Sequence, residues 1–189
     1  MKKIFALVAA VVVAFSASAQ IEKGDIVVTA GVGLGNTVYG SGYDNALLPI
    51  NLEGEFGIAE DLFGVAGLSL GVGPAISYTQ ASQDYSYLVN GAGYKFSSII
   101  VGAKGYFHYN LFNVDKLDTY AAITLGWNVA SAKAYGWGEY SDLMAVPSVG
   151  GLFYAASVGA RYWFTDFIGA NLEAGYGLSY LKAGVTFKF

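Results

Sequence analysis

The sequence predicts an all-β fold, an eight-stranded antiparallel up-and-down transmembrane β-barrel, and three observations lead there. The chain of 189 residues is 54% hydrophobic and only 13% charged, with 26 glycines and no cysteine. That is too apolar for an average soluble domain. Beyond the N-terminus no glycine-poor apolar run reaches the roughly 18 residues that a spanning helix needs. Apolar residues instead alternate with period two in eight segments, and seven charges within those segments share the opposite face.

The first element is an export signal. Met1-Lys2-Lys3 is a basic start, residues 4–15 are apolar, and Ala17-Ser18-Ala19 before Gln20 is a small-x-small cleavage site. Residues 1–19 are thus expected to be removed and residues 20–189 to form one barrel domain. Twelve apolar residues (4–15) are too few to anchor the chain as a helix. Without cysteine the exported chain has neither a disulfide framework nor a site for lipid attachment, so any membrane hold must come from the strands. Its eight basic residues against fourteen acidic ones after Gln20 leave no footprint for nucleic acid.

The eight strands follow in order. In residues 25–35, Ile26, Val28, Ala30, Val32 and Leu34 oppose Val27, Thr29, Gly31 and Gly33. Residues 48–58 set Ile50, Leu52, Phe56 and Ile58 against Asn51, Glu53, Glu55 and Gly57. Residues 65–78 set Leu68, Leu70, Val72, Pro74 and Ile76 against Ser69, Gly71, Gly73 and Ser77, and residues 95–109 set Ile99, Val101, Ala103, Phe107 and Tyr109 against Gly102, Lys104, Tyr106 and His108. Residues 119–130 alternate Ala121, Ile123, Leu125, Trp127 and Val129 with Tyr120, Thr124, Gly126 and Asn128. The last three segments, 152–164, 168–178 and 181–189, place Tyr154, Val158, Tyr162, Leu172, Tyr176, Val185, Phe187 and Phe189 opposite Ser157, Arg161, Asn171, Glu173, Lys182 and Lys188.

Glu53, Glu55, Lys104, Arg161, Glu173, Lys182 and Lys188 all fall on the second face, which is otherwise mostly Gly, Ser, Ala, Asn and Thr. A water-facing surface would carry many more Lys and Glu. An inside-out arrangement fits better: the apolar face meets acyl chains, the small polar face lines the lumen, and closure pairs every backbone group where lipid offers no partner. Glu53, Glu55, Lys104, Arg161 and Glu173 then fall at similar depth and are expected to form a lumen polar network, an ion-paired plug rather than an ion path. Short connections at 59–63 and 165–167 alternate with long ones at 36–47, 79–94 and 131–151, as periplasmic turns alternate with extracellular loops; the connections 110–118 and 177–180 fit this alternation less well. Both termini are then periplasmic. Aromatic residues near the strand ends, among them Phe56, Phe107 and Tyr162 at one level and Tyr78, Trp127 and Tyr154 at the other, sit where interfacial girdles belong.

The run from Gly159 to Asp166 (GARYWFTD), the following Asn171 to Gly177 and the ending Gly184-Val185-Thr186-Phe187-Lys188-Phe189 resemble the small bacterial outer-membrane β-barrel family. These are the eight-stranded OmpA/OmpX-type barrels, in the form common in Bacteroidetes-like bacteria. The resemblance spans residues 20–189 and is sharpest over the last thirty. It implies an assembly signal in Val185, Phe187 and Phe189 for the barrel-assembly machinery, and outer-membrane lipid and lipopolysaccharide as surroundings. A monomer is expected. The chain differs from OmpA itself in ending at the eighth strand, so no wall-binding domain is implied.

Catalytic motifs are weak. Gly31-x-Gly33-x-Gly35 lacks the spacing and helix of a dinucleotide loop, and Ser179-Tyr180-Leu181-Lys182 falls at a turn where a serine-x-x-lysine helix cannot form. His108 is the only histidine and is expected at the periplasmic end, facing inward. Glu53 and Glu55 could suggest glycosidase carboxylates but belong inside a closed barrel. No enzyme, cofactor or metal is expected. Tyr39, Tyr43, Tyr85, Tyr87, Tyr135, Trp137 and Tyr140 are candidate contacts on the surface loops, for an extracellular ligand that the sequence does not identify. The expected role is therefore structural or surface-interactive, against two alternatives: a narrow channel for small or apolar solutes, and an outer-leaflet lipid-acting enzyme.

Overall fold

The computed structural model describes residues 19–35, 37–38, 45–86, 91–140 and 149–189. The signal segment up to residue 18 lies outside them, as do Tyr39, Tyr43 and Tyr87. The strands are β1 (Ile26–Leu34), β2 (Asn45–Ala46), β3 (Ile50–Ala59), β4 (Ser69–Asp84), β5 (Gly93–His108), β6 (Leu117–Tyr135), β7 (Val149–Trp163), β8 (Ile168–Tyr176) and β9 (Leu181–Lys188). β1 pairs antiparallel with β3, each strand from β3 onward pairs antiparallel with the next, and β9 returns to β1, so the sheet closes. β2 and β3 both pair with β4 and share one place in the wall, interrupted at Pro49, which has no N–H to give a ladder. The wall is therefore eight strands round, as the alternation predicts.

Phase follows the same alternation. Val101 and Leu125 are 54% and 59% exposed, whereas Ala122 on the other face is 2% exposed. An apolar surface this extensive faces outward on β1 and on β3 to β9, and in water it would be an aggregation hazard. Across the apolar belt, closure leaves no free strand edge among the described residues, which is what permits a sheet to cross hydrocarbon. Aromatic pairs mark both margins of the apolar belt: Tyr162 and Phe164 meet edge-on at 5.6 Å, and Tyr154 lies 6.2 Å from Tyr176.

Several expected boundaries move. The third segment starts at Ser69, not Val65, which lengthens the connection 60–68. The supposed loop 79–94 is mostly strand, because β4 continues to Asp84 and β5 begins at Gly93; β6 likewise runs on to Tyr135. Connections at the end that carries the termini are thus not uniformly shorter than those at the opposite, loop end. The strand extensions escape a pattern search because polarity reverses there while the phase continues. Outward positions become Gln80, Ser82, Lys95, Ser97, Ser131 and Lys133, and inward ones Ala81, Tyr94, Phe96 and Ala132. Apolar-in and polar-out is the arrangement of a sheet in water. The reversal on β4, β5 and β6 therefore locates the edge of the bilayer.

Candidate functional site

The lumen holds two tiers of buried charge. In the first, Lys104 Nζ donates to Glu53 Oε2 at 2.8 Å and also to Glu173, while Lys182 bridges the same two carboxylates, reaching Glu173 Oε1 at 2.7 Å. Four strands, β3, β5, β8 and β9, meet in this tier. The Tyr106 and Tyr120 hydroxyls donate to Glu53 and Glu173 at 3.1 and 2.8 Å, and Asn171 donates to the Tyr120 oxygen.

The second tier lies nearer the termini. His108 Nε2 is 2.7 Å from Glu55 Oε1, and its Nδ1 is 2.9 Å from Asp118 Oδ1. Ionised carboxylates only accept, so a ring meeting one at each nitrogen donates from both, as imidazolium does. Arg161 Nη2 completes the tier 2.6 Å from Glu55 Oε2, and its guanidinium lies over the rings of Tyr120 and Tyr106 at 4.8 and 5.2 Å. Each tier then holds two anions and two cations. Paired in this way, charges can be buried without shedding their ionisation.

The sheet makes room for these long side chains. Between β3 and β5 runs β4, whose inward residues here are Gly71, Gly73 and Ala75. A methyl group at Gly71 would overlap the Glu55 carboxylate, and one at Gly159 would overlap the Tyr120 ring. Beneath the second tier, Ile21 packs with Val27 and Trp163, and Ala19, the last residue of the expected signal, joins them through its carbonyl, which accepts from the Trp163 indole at 3.1 Å. On the loop side of the first tier remains a cavity of about 40 Å³, lined by Asn51, Ser77, Thr124, Ser157, Ser179 and Lys182. It has space for a few waters.

All five lumen residues named from sequence, Glu53, Glu55, Lys104, Arg161 and Glu173, are at most 6% exposed and meet in these tiers. Sequence missed Asp118 because it was assigned to a turn, whereas β6 starts at Leu117 and turns Asp118 inward. It also missed the role of residues 20–25, whose backbone bonds Gly24 N to Gly57 O and Gly57 N to Asp25 O carry no side-chain pattern. Of the loop candidates, Tyr85 and Trp137 are half-buried in a cluster with Tyr94, at 5.9 Å and 6.0 Å from it, and Trp137 donates to the Gly93 carbonyl. Tyr135 is exposed, and Tyr140 ends a short 3-10 turn. Val185, Phe187 and Phe189 lie along the outer face of β9 and its end. Among the described residues no group of His, Asp or Glu has the arrangement of a metal site.

No protein-family model matches this chain, and no curated protein does. Solved structures do. The outer membrane protein OprG from Pseudomonas aeruginosa superposes with a TM-score of 0.54 at 10% identity, over 90% of this chain and 98% of that one. A transmembrane β-barrel designed de novo matches with a TM-score of 0.50 at 17% identity, over 90% and 99%. At such identities it is the fold that is shared. The closed antiparallel wall, the apolar exterior and these likenesses together give one conclusion: this chain has the fold of the eight-stranded transmembrane barrels of bacterial outer membranes.

Proposed function

We propose that the protein is a monomeric, non-catalytic barrel of the outer membrane, with a structural or surface-interactive role. Its termini face the periplasm and its loop end faces outward, where Tyr135 and the loops present the surface available to an extracellular ligand. Residues 1–19 act as the cleaved signal, and Val185, Phe187 and Phe189 guide insertion by the assembly machinery. Lipid and lipopolysaccharide surround the apolar wall. The observation that carries this reading is the filled lumen: two charge tiers and, beneath them, Ile21, Val27 and Trp163 occupy the space where a transport path would run. His108 serves there as a structural ion-pair partner, with both nitrogens committed to carboxylates.

Planar-bilayer recording from the pure protein tests the reading against its closest rival, a narrow channel. The expected result is no sustained conductance from the wild type. Steady, uniform single-channel currents would overturn the plug and favour a conducting role.

A further inference from the structure

Outside the lumen, one pair of charges has no place in this scheme. The chain has ten basic residues. Lys104, Arg161, Lys182 and Lys188 belong to inward positions, Lys23 and Lys116 lie at the terminal end, and Lys2 and Lys3 fall outside the described residues. That leaves Lys95 and Lys133. The β5–β6 register sets them directly opposite each other, both exposed on the outward face, with Ser82 beside Lys95 on β4. Among the described residues neither has an ion-pair partner. Asp84, the carboxylate one rung beyond on the same face, is engaged by the backbone N–H of Ser86 at 2.7 Å and by its hydroxyl.

Like charges directly opposite one another weaken a sheet, so the barrel alone gains nothing by this pairing. An anion held between them converts the repulsion into two attractions. Position then narrows the choice of anion. The polarity reversal places the bilayer edge between the Ile99–Val129 pair and the Ser97–Ser131 pair, whose hydroxyls are 2.8 Å apart. The lysines lie four residues beyond Ile99 and Val129. At ~3.3 Å per residue and a strand tilt of about 40°, that is roughly 10 Å above the last apolar rung, among lipid headgroups. A phosphate monoester carries close to two negative charges and matches two ammonium groups, whereas a single carboxylate matches one.

We propose that Lys95 and Lys133 form a binding site for a phosphate group on the headgroup of an outer-leaflet glycolipid. The site rests on the reading that the loop end faces the outer leaflet. Ser82, Ser97 and Ser131 supply hydroxyls around it, and the exposed Trp127 lies below it, where the ring can cover the upper acyl chains.

The test uses the full folded barrel in phosphatidylcholine nanodiscs containing a small fraction of bisphosphorylated lipid A, with retained lipid counted by native mass spectrometry. K95Q/K133Q is expected to lower retention by about tenfold or more, from roughly 1 kcal/mol lost per lysine near an anionic surface. K95R/K133R is expected to restore it, and K23Q/K116Q at the opposite end to leave it unchanged. Lipid A stripped of phosphate should be retained by the wild type no better than by the double variant. Equal retention of lipid A by wild type and K95Q/K133Q, both showing the heat-modifiable folded band, would overturn the site while leaving the barrel intact. Displacement by inorganic phosphate at no higher concentration than the lipid A would overturn the lipid as its ligand. A wild-type chain that does not insert into the nanodisc would instead sink the membrane reading on which the site depends.

Discussion

Lys104 holds two carboxylates from opposite parts of the wall, and its ammonium lies 4.9 Å from the centre of the Tyr106 ring. Its stem and head are buried to 1% exposure, so water cannot replace what it supplies. Lys104→Ala leaves Glu53 and Glu173 facing Lys182 alone, and breaking a buried pair in this way costs about 3–5 kcal/mol. Urea unfolding of the reconstituted barrel should show that loss as a lower midpoint. The second tier makes a different prediction. His108→Phe leaves Glu55 and Asp118 with one cation between them, whereas His108→Phe with Glu55→Gln removes one charge of each sign. The double variant should therefore be more stable than the two separate losses added together, and strict additivity would show that the ring and Glu55 are not coupled. Much of this network was legible at the residue level, since charges confined to one face of each strand had to meet inside. Its partners Tyr106 and Tyr120 were placed on that face without a role, because period-two reading assigns a face and says nothing about which side chains touch across a lumen.

At the scale of the strand, the informative feature is where alternation changes character. Through the bilayer, β5 and β6 put Val101, Ile123 and Leu125 outside and Lys104, Tyr106 and Ala122 inside; past Ile99 and Val129 the polar residues take the outer face. A search for apolar-out alternation therefore stops short, and the tips of β4, β5 and β6 read as loop. The physics is continuous, since each face matches the solvent it meets. Val101→Arg places a cation against hydrocarbon, at a cost of roughly 2–4 kcal/mol near the midplane. Ala122→Arg places it in the lumen beside Tyr106 and Tyr120, where it crowds a packed cluster instead. Assembly followed by heat-modifiable mobility should show reduced insertion for Val101→Arg. For Ala122→Arg, insertion is expected with a lowered unfolding midpoint. Full tolerance of Val101→Arg would put the phase of β5 in doubt.

For the molecule as a whole, the chain inverts the solution used by soluble domains. Its charges neutralise one another in the centre, its glycines and alanines admit the long lumen side chains, and its large apolar residues form the outer surface. The eight-strand count, the phase and the five lumen residues could be read from one sequence because the bilayer imposes strict alternation on every strand that crosses it. The closure of the terminal end by Ile21, Val27 and Trp163 could not, since it depends on where a short, patternless segment folds back. The central claim is that the apolar face meets lipid. The absence of cysteine makes a direct measurement possible, with single cysteines placed in turn from residue 121 to residue 129 of β6 and labelled with a fluorophore. Quenchers fixed to the acyl chains should quench labels at Ala121, Ile123, Leu125, Trp127 and Val129 strongly and labels at Ala122, Thr124 and Asn128 weakly. Quenching of the even positions, or none that alternates, would contradict the account.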